Sequence, residues 1–385
     1  MAQIGRFSTP AVVIHGAGAL AQLPEVVRSL GGAKVGLVTD AGVVRAGLRD
    51  KVLAALGESA PCYEGVQPEP SYELVHECRD FLRGHGCDLV VAVGGGSAMD
   101  VAKMSAALVR NEGPMTDYFG LNKMTRPGLP VIAIPTTAGT GSEVSPAAVF
   151  VDPYAKRKVG ARSDFILARA AILDPELTLS LPQPVTASTG IDALTHAIET
   201  YTARAATPIS DMAAERATEM ICQYLPAAYA RGYDIEARAG QLMGSYIAGL
   251  ALAIANVGAV HALAQALGGM FPVAHGVANA LFLPYVMEFN RIGCREKYAR
   301  LAKLMGQSTE GLSLDEASFL AVDTVRELTQ ALNIPQRLSE LDTDVPEEAL
   351  DDIAQSCIDT QQRVITNNPR TMNLQEARAL LEEAY

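Results

Sequence analysis

The six cysteines (Cys62, Cys78, Cys87, Cys222, Cys294 and Cys357) are scattered and form no C-x-x-C pair. That reads as reduced, mostly buried thiols in a cytoplasmic protein, and it singles out no catalytic thiol. No window reaches about 18 uninterrupted apolar residues, so no segment is expected to span a membrane. The opening residues, MAQIGRFSTPAVVIHG, lack the basic start and long apolar run of a secretory signal. Charge is sparse at 19%, and 31 Lys+Arg against 43 Asp+Glu give a net charge of −12 with no basic stripe. Such a surface repels a phosphate backbone, which excludes nucleic acid as a partner. Internal repeats and low-complexity tracts are also missing, and so is the G-x-G-x-x-G fingerprint of the ordinary Rossmann unit.

Hydrophobic residues make up 49% of the 385, which is ample for buried cores and rules out intrinsic disorder. At roughly 150 residues per domain the length implies two or three domains. The first part alternates apolar runs with helical patterns: Val35–Thr39, then a helix over Val43–Leu56; Asp88–Val93, then a helix through Leu108; and Val131–Ile134. Continuous Val/Ile/Leu strands separated by helices predict an α/β domain with a parallel sheet covered on both faces. The stretch LTLSLPQP at Leu177–Pro184 reads as an extended hinge. Beyond it Ala, Leu, Glu, Met and Arg recur at helical spacing, ending in an amphipathic helix over Asn373–Tyr385. The expected division is residues 1–180 as an α/β domain and 181–385 as an all-helical domain, which the resemblance described below implies to be dinucleotide-binding and metal-binding respectively.

Two small-residue loops follow successive strands. DLVVAVGGGSAMD sets three glycines between a strand and a helix, where the backbone can approach a ligand and free N–H groups carry partial positive charge. Ser97 and Asp100 stand three apart, the spacing of a capping box that would start the helix there. PTTAGTGSEVS at Pro135–Ser145 adds hydroxyls (Thr136, Thr137, Thr140, Ser142, Ser145) suited to diphosphate or ribose. Ligands favour that edge of a parallel sheet. Asp40 ends the run VGLVTD; a carboxylate there accepts from both ribose hydroxyls and repels a 2′-phosphate, favouring NAD over NADP. Taken alone it reads equally well as a helix cap.

In GIDALTHAIET, Asp192 and His196 are four apart, so a helix presents both on one face. His261 and His275 follow in GAVHALAQALGG and FPVAHGVANA. One carboxylate and three imidazoles form a hard-to-borderline donor set for Fe²⁺ or Zn²⁺. His15, His76 and His85 read as surface or packing residues.

Together GGGSAMDVAK, PTTAGTGSEVS, GIDALTHAIE, HALAQALGG…AHGVANALFLPYV and NNPR resemble the iron-containing (group III) alcohol dehydrogenases over essentially the whole chain. The resemblance implies a dehydroquinate synthase-like fold, an active site between the two domains, and homodimers or larger homo-oligomers. It implies Asp192, His196, His261 and His275 as metal ligands for Fe²⁺, with Zn²⁺ suiting the same set. It places Gly95, Gly96, Ser97 and Asp100 at the diphosphate, Thr136, Thr137, Thr140 and Ser145 along the cofactor, Lys158 near the nicotinamide ribose, and Leu179 on the cofactor at the domain junction. Two departures stand out. Gln265 replaces a histidine that many relatives carry four residues after the third ligand, and Glu69 in QPEP replaces an asparagine.

The expected activity is NAD-dependent interconversion of a small-molecule alcohol and an aldehyde or ketone, with the metal as Lewis acid and direct hydride transfer. Alternatives on the same fold are a glycerol dehydrogenase, a 3-dehydroquinate synthase, which uses NAD transiently, and a maleylacetate reductase, whose ligand set is usually incomplete. A non-catalytic nucleotide or metal sensor is the alternative from another class.

Overall fold

The computed structural model describes residues 7–57 and 59–385. They form two compact units, residues 7–181 with 233–242, and residues 182–232 with 243–385.

The first unit contains strands β1 (Val12–His15), β2 (Val35–Asp40), β3 (Cys62–Val66), β4 (Leu89–Gly94), β5 (Gly120–Leu121), β6 (Val131–Pro135), β7 (Ala147–Asp152), β8 (Arg157–Arg162) and β9 (Ala170–Leu173). Its helices are α1 (Leu23–Ser29), α2 (Ala41–Arg45), α3 (Leu48–Leu56), α4 (Glu73–Gly84) and α5 (Gly96–Arg110). Six strands make a parallel sheet in the order β1-β9-β6-β4-β2-β3. Strands β4, β6 and β9 are buried throughout and β2 up to its last residue, which is why they appear in the sequence as unbroken apolar runs. Alternate side chains of β4 serve opposite faces. Val90 and Ala92 pack with Val75 and Leu82 of α4 and Val101 of α5, while Leu89, Val91 and Val93 pack with Val26 of α1 and Val52 of α3.

The chain passes from β2 outward to β3, then back across β2 to β4 and on to β6. The strand order therefore reverses between β2 and β4, and the carboxyl ends of those two strands flank the crevice where open α/β sheets bind ligands.

Several expectations need correction here. The helical pattern over Val43–Leu56 is two helices, α2 and α3, separated at Gly47, whose φ of 71° is left-handed and ends any continuous helix. The stretch LTLSLPQP is not extended: Pro175–Thr178 is a 3₁₀ turn capped by the Asp174 carboxylate, and the next helix starts at Gln183 directly after Pro182. A second sheet, β5-β8-β7, contains an antiparallel β7–β8 pair that no apolar run announced.

The second unit is helical: α6 (Gln183–Thr202), α7 (Pro208–Ala230), α8 (Ile235–Ala255, whose first turns belong to the first unit), α9 (Ala259–Met270), α10 (His275–Arg291), α11 (Arg295–Leu304), α12 (Leu314–Ala331), α13 (Leu350–Thr360), α14 (Gln362–Ile365) and α15 (Leu374–Glu383). Its core draws on α6, α9 and α10, and every residue of α6 from Gly190 to Thr202 is buried. Among the described residues no single helix is long and apolar enough to cross a bilayer; α8 and α9 reach that composition only as a pair, bent by 97°.

Inside the first unit, Lys103 of α5 is 1% exposed and donates to the carbonyls of Ser142 (3.0 Å), Ser145 (3.3 Å) and Ala147. One buried ammonium thus ties α5 to the end of the loop after β6. Glu143 in that loop is also buried, and burial pushes its carboxyl up to about 7 against the opposing pull of its own backbone N–H and Lys103. The folded value lies above the unfolded 4.5, so this group's contribution to stability is complete below about pH 4.5 and is lost as pH rises through about 7. Glu143→Gln is therefore expected to stabilise the protein relative to wild type progressively between pH 5 and 8, by up to about 3 kcal/mol. Unfolding midpoints at the two pH values measure this, and a pH-independent difference between the proteins would refute it.

Candidate metal centre and dinucleotide loops

Helix α6 carries Asp192, His196 and Glu199 at spacings of four and three, a single stripe along one face. His261 is the third residue of α9, and His275 is the first residue of α10. The three imidazoles converge on one oxygen: the Nε2 atoms of His196, His261 and His275 lie 3.9, 3.8 and 3.9 Å from Asp192 Oδ1. The ligand atoms of Asp192, His261 and His275 all fall within 4.8 Å of one another. The His196 and His261 rings stack at 4.8 Å, and His275 meets His261 edge-on at 5.2 Å. Asp192, His196 and His261 are buried.

Asn279, one turn after His275, shows what this cluster is short of. Its Nδ2 lies 2.7 Å from Asp192 Oδ1 and 3.1 Å from Nε2 of both His261 and His275. An amide has two N–H donors. Three inward-facing acceptors share them, while the buried Oδ1 of Asn279 has no partner. The cluster is thus rich in lone pairs and poor in protons, the condition a divalent cation satisfies. Donors held at about 2.1 Å from a first-row ion stand roughly 3–3.5 Å apart, so the 3.8–3.9 Å edges from Asp192 to the three imidazoles need to contract by roughly 0.3–0.9 Å. The donor set fits a metal.

The nitrogen of His261 that faces away from Asp192 is also fixed. Nδ1 lies 2.6 Å from Glu199 Oε2, and a carboxylate only accepts, so Nδ1 carries the proton and Nε2 presents its lone pair. Glu199 and Asn279 both lie inside motifs read above, yet received no role. The available signals were position alone: Glu199 is seven residues after Asp192 on the same helix face, and Asn279 is four after His275.

In the first unit, the two small-residue loops meet. β4 and β6 are neighbours, and Thr136 N donates to Gly94 O at 3.0 Å. Helix α5 starts at Gly96, with Gly95 as N-cap and no side-chain cap, so the expected Ser97 start is one residue late and no capping box forms. Gly95 faces the Thr137 side chain, and a Cβ on Gly96 would lie 2.9 Å from Thr140 Cγ2. Asp40 Oδ1 accepts from the N–H groups of Gly42 and Val43, the helix-cap reading, while Oδ2 lies beside Gly94 across the β2–β4 crevice. Asp100 is engaged within the protein. Oδ1 accepts from Ser142 Oγ at 2.5 Å and lies 3.1 Å from Lys103 Nζ, and Oδ2 accepts from Val149 N–H at 2.8 Å. Ser145 is buried, and its Oγ accepts from Ala147 N–H. Lys158 Nζ pairs with Glu69 Oε2 at 2.5 Å, and Glu69 has a left-handed φ of 49°. Leu179 is 37% exposed just after the Pro175–Thr178 turn.

Two family models cover the chain. Residues 10–175 match the iron-containing alcohol dehydrogenase model, and residues 186–385 match that of the Fe-containing alcohol dehydrogenase family, C-terminal. The chain belongs to the iron-containing alcohol dehydrogenase family. It is 40% identical to long-chain-alcohol dehydrogenase 1 of Geobacillus thermodenitrificans (strain NG80-2), over 99% of this chain and 97% of that protein. A 1,3-propanediol oxidoreductase crystal structure superposes with a TM-score of 0.96 at 36% identity and complete coverage of both chains. Sulfoacetaldehyde reductase from Bifidobacterium kashiwanohense, solved in complex with NAD⁺, superposes with a TM-score of 0.88 at 29% identity, covering 100% of this chain and 99% of that one. As an iron-containing alcohol dehydrogenase with the dehydroquinate synthase-like fold, the protein is an oxidoreductase that interconverts an alcohol and an aldehyde with NAD and iron.

The close approach of Gly96 to Thr140 gives a direct test of the dinucleotide loops. Gly96→Ala is expected to push the Thr140 loop away and weaken NAD binding about tenfold, as read by fluorescence titration. Unchanged affinity would show that this contact does not shape the cofactor cradle.

Proposed function

We propose that Asp192, His196, His261 and His275 hold the catalytic divalent ion, Fe²⁺ or, on the same donors, Zn²⁺. The observation that carries this reading is the convergence of three imidazole Nε2 atoms on Asp192 Oδ1 with too few protons to satisfy them. When bound, the ion supplies Lewis acidity toward the substrate oxygen and NAD supplies the hydride acceptor. The four side chains fix where a small alcohol or aldehyde presents its oxygen. Glu199 keeps His261 in the tautomer that faces the ion. Gln265, one turn after His261 and half-buried, cannot exchange a proton near neutral pH and takes no part as an acid or base.

At the sheet unit, Gly95, Gly96 and Ser97 offer uncapped N–H groups at the start of α5 to the diphosphate. Thr136, Thr137 and Thr140 line its other side. Asp100, Ser142 and Ser145 shape the second loop through Lys103 and the backbone of β7, so Asp100 acts on the cofactor at one remove. Asp40, with Oδ2 in the β2–β4 crevice, accepts the adenosine ribose hydroxyls. Lys158 reaches the nicotinamide ribose from its pair with Glu69, and Leu179 contributes apolar contact. The functional division is residues 1–180 for the dinucleotide and 181–385 for the metal. Six unpaired cysteines support a cytoplasmic setting, and the family resemblance supports a homodimer or larger homo-oligomer.

His261→Ala is expected to lose the metal and turnover while binding NAD within about twofold of wild type, as read by metal analysis, steady-state rates and NAD titration. Full activity in the metal-depleted variant would overturn the ligand assignment. Asp40→Gly is expected to raise the NADP/NAD ratio of kcat/KM at least tenfold, on the order of 1.4 kcal/mol. An unchanged ratio would remove Asp40 as the discriminator.

A further inference from the structure

The break between α8 and α9 is held by residues remote in sequence. Gly258, the N-cap of α9, has no side chain to satisfy the first N–H groups of the helix. Glu199 and Asn368 do it instead. Val260 N–H donates to Glu199 Oε1 at 2.7 Å, and Ala259 N–H donates to Asn368 Oδ1 at 3.1 Å. The other oxygen of Glu199 accepts His261 Nδ1–H at 2.6 Å. One carboxylate therefore fixes both the backbone of residue 260 and the imidazole of residue 261. Asn368, in the NNPR segment, is fixed in turn: its Nδ2 donates to Asn290 Oδ1 at 2.6 Å, and Asn290 returns a bond of 2.9 Å to Asn368 Oδ1. Glu199, Asn368 and Asn290 are no more than 4% exposed. There is no room for slack: a Cβ on Gly258 would come 2.8 Å from Asn368 Oδ1 and 3.2 Å from Glu199 Oε1.

We infer that Glu199 and Asn368 are positioning residues of the metal centre, setting the start of α9 and the tautomer of His261 so that its Nε2 faces Asp192. The NNPR segment thereby serves the metal site without touching it. This rests on the ligand reading above.

The test measures Zn²⁺ affinity by competition with a chromophoric chelator, and the visible spectrum of the Co²⁺-loaded protein, for full-length Glu199→Ala, Glu199→Gln and Asn368→Ala. Thermal midpoints of the metal-free proteins are measured alongside. Outer-shell partners of ligating histidines are typically worth 10–100-fold in metal affinity. Glu199→Ala is expected to lose about a hundredfold. Glu199→Gln keeps one acceptor oxygen and is expected to lose only about tenfold, as is Asn368→Ala, each with an altered Co²⁺ spectrum. A merely structural role would lower the metal-free midpoint and leave affinity and spectrum as in wild type, which would overturn the inference. If Glu199→Ala does not fold, Glu199→Gln decides by the same two readouts. Asp192→Ala and His261→Ala serve as references. Wild-type affinity in those two would sink the ligand reading itself, whereas weakened binding there with wild-type binding in the Glu199 and Asn368 variants would sink only this inference.

Discussion

Acceptor lone pairs crowded into a buried helical core are unfavourable unless something positive answers them. The second unit is organised around that constraint. Asp192, His196, His261 and His275 come from three helices, and their inward atoms surround a space that the Asn279 amide satisfies only in part. Around them the polar groups are closed off: Glu199 takes the outer nitrogen of His261, and Asn368 with Asn290 completes the backbone of α9. The cluster's surplus of acceptors is what the proposed cation would answer.

The sheet unit meets a different demand, since the proposed diphosphate site has no strong fixed charge of its own. On that reading the N–H groups at the start of α5, which no side chain caps, would provide the attraction, and glycines would allow close approach. The nearby charges are turned to structural work. Lys103 and Asp100 brace the loop that carries the threonines, and Lys158 is paired with Glu69. The first helix turn after β4 is thus left half-buried at Gly95, Gly96 and Ser97, beside a loop braced by buried ionic contacts.

How much of this the sequence reveals depends on where each residue's partners lie. β4 and its glycine loop were legible because a strand buried on both faces is apolar without interruption, and the loop follows it directly. Edge strands β1 and β3 and the β7–β8 pair were not, because half-exposed strands such as CYEGV and RKVGAR carry polar residues that mask alternation. The four-residue spacing of Asp192 and His196 was readable as one helix face, His261 and His275 completed a candidate donor set by residue type, and the family resemblance then implied all four as ligands. Glu199 was passed over because a glutamate on a helix ordinarily faces water, and only the fold shows it buried against α9. Asn367 and Asn368 stood out as a motif without a task, since their partners at Ala255, Val257 and Ala259 lie more than a hundred residues earlier. Asp40 illustrates the limit of local reading, since its cap to α2 and its place at the crevice use different oxygens of one side chain.

The dispersal of the cluster over α6, α9 and α10 bears on biogenesis. In a zinc finger, closely spaced ligands let the ion template a short chain. Here the proposed donors are spread over three helices between residues 192 and 275, and the clamp from the NNPR segment comes from residue 368. On the proposed ligand reading, the ion meets a site assembled by the packed bundle rather than by one local run of ligands.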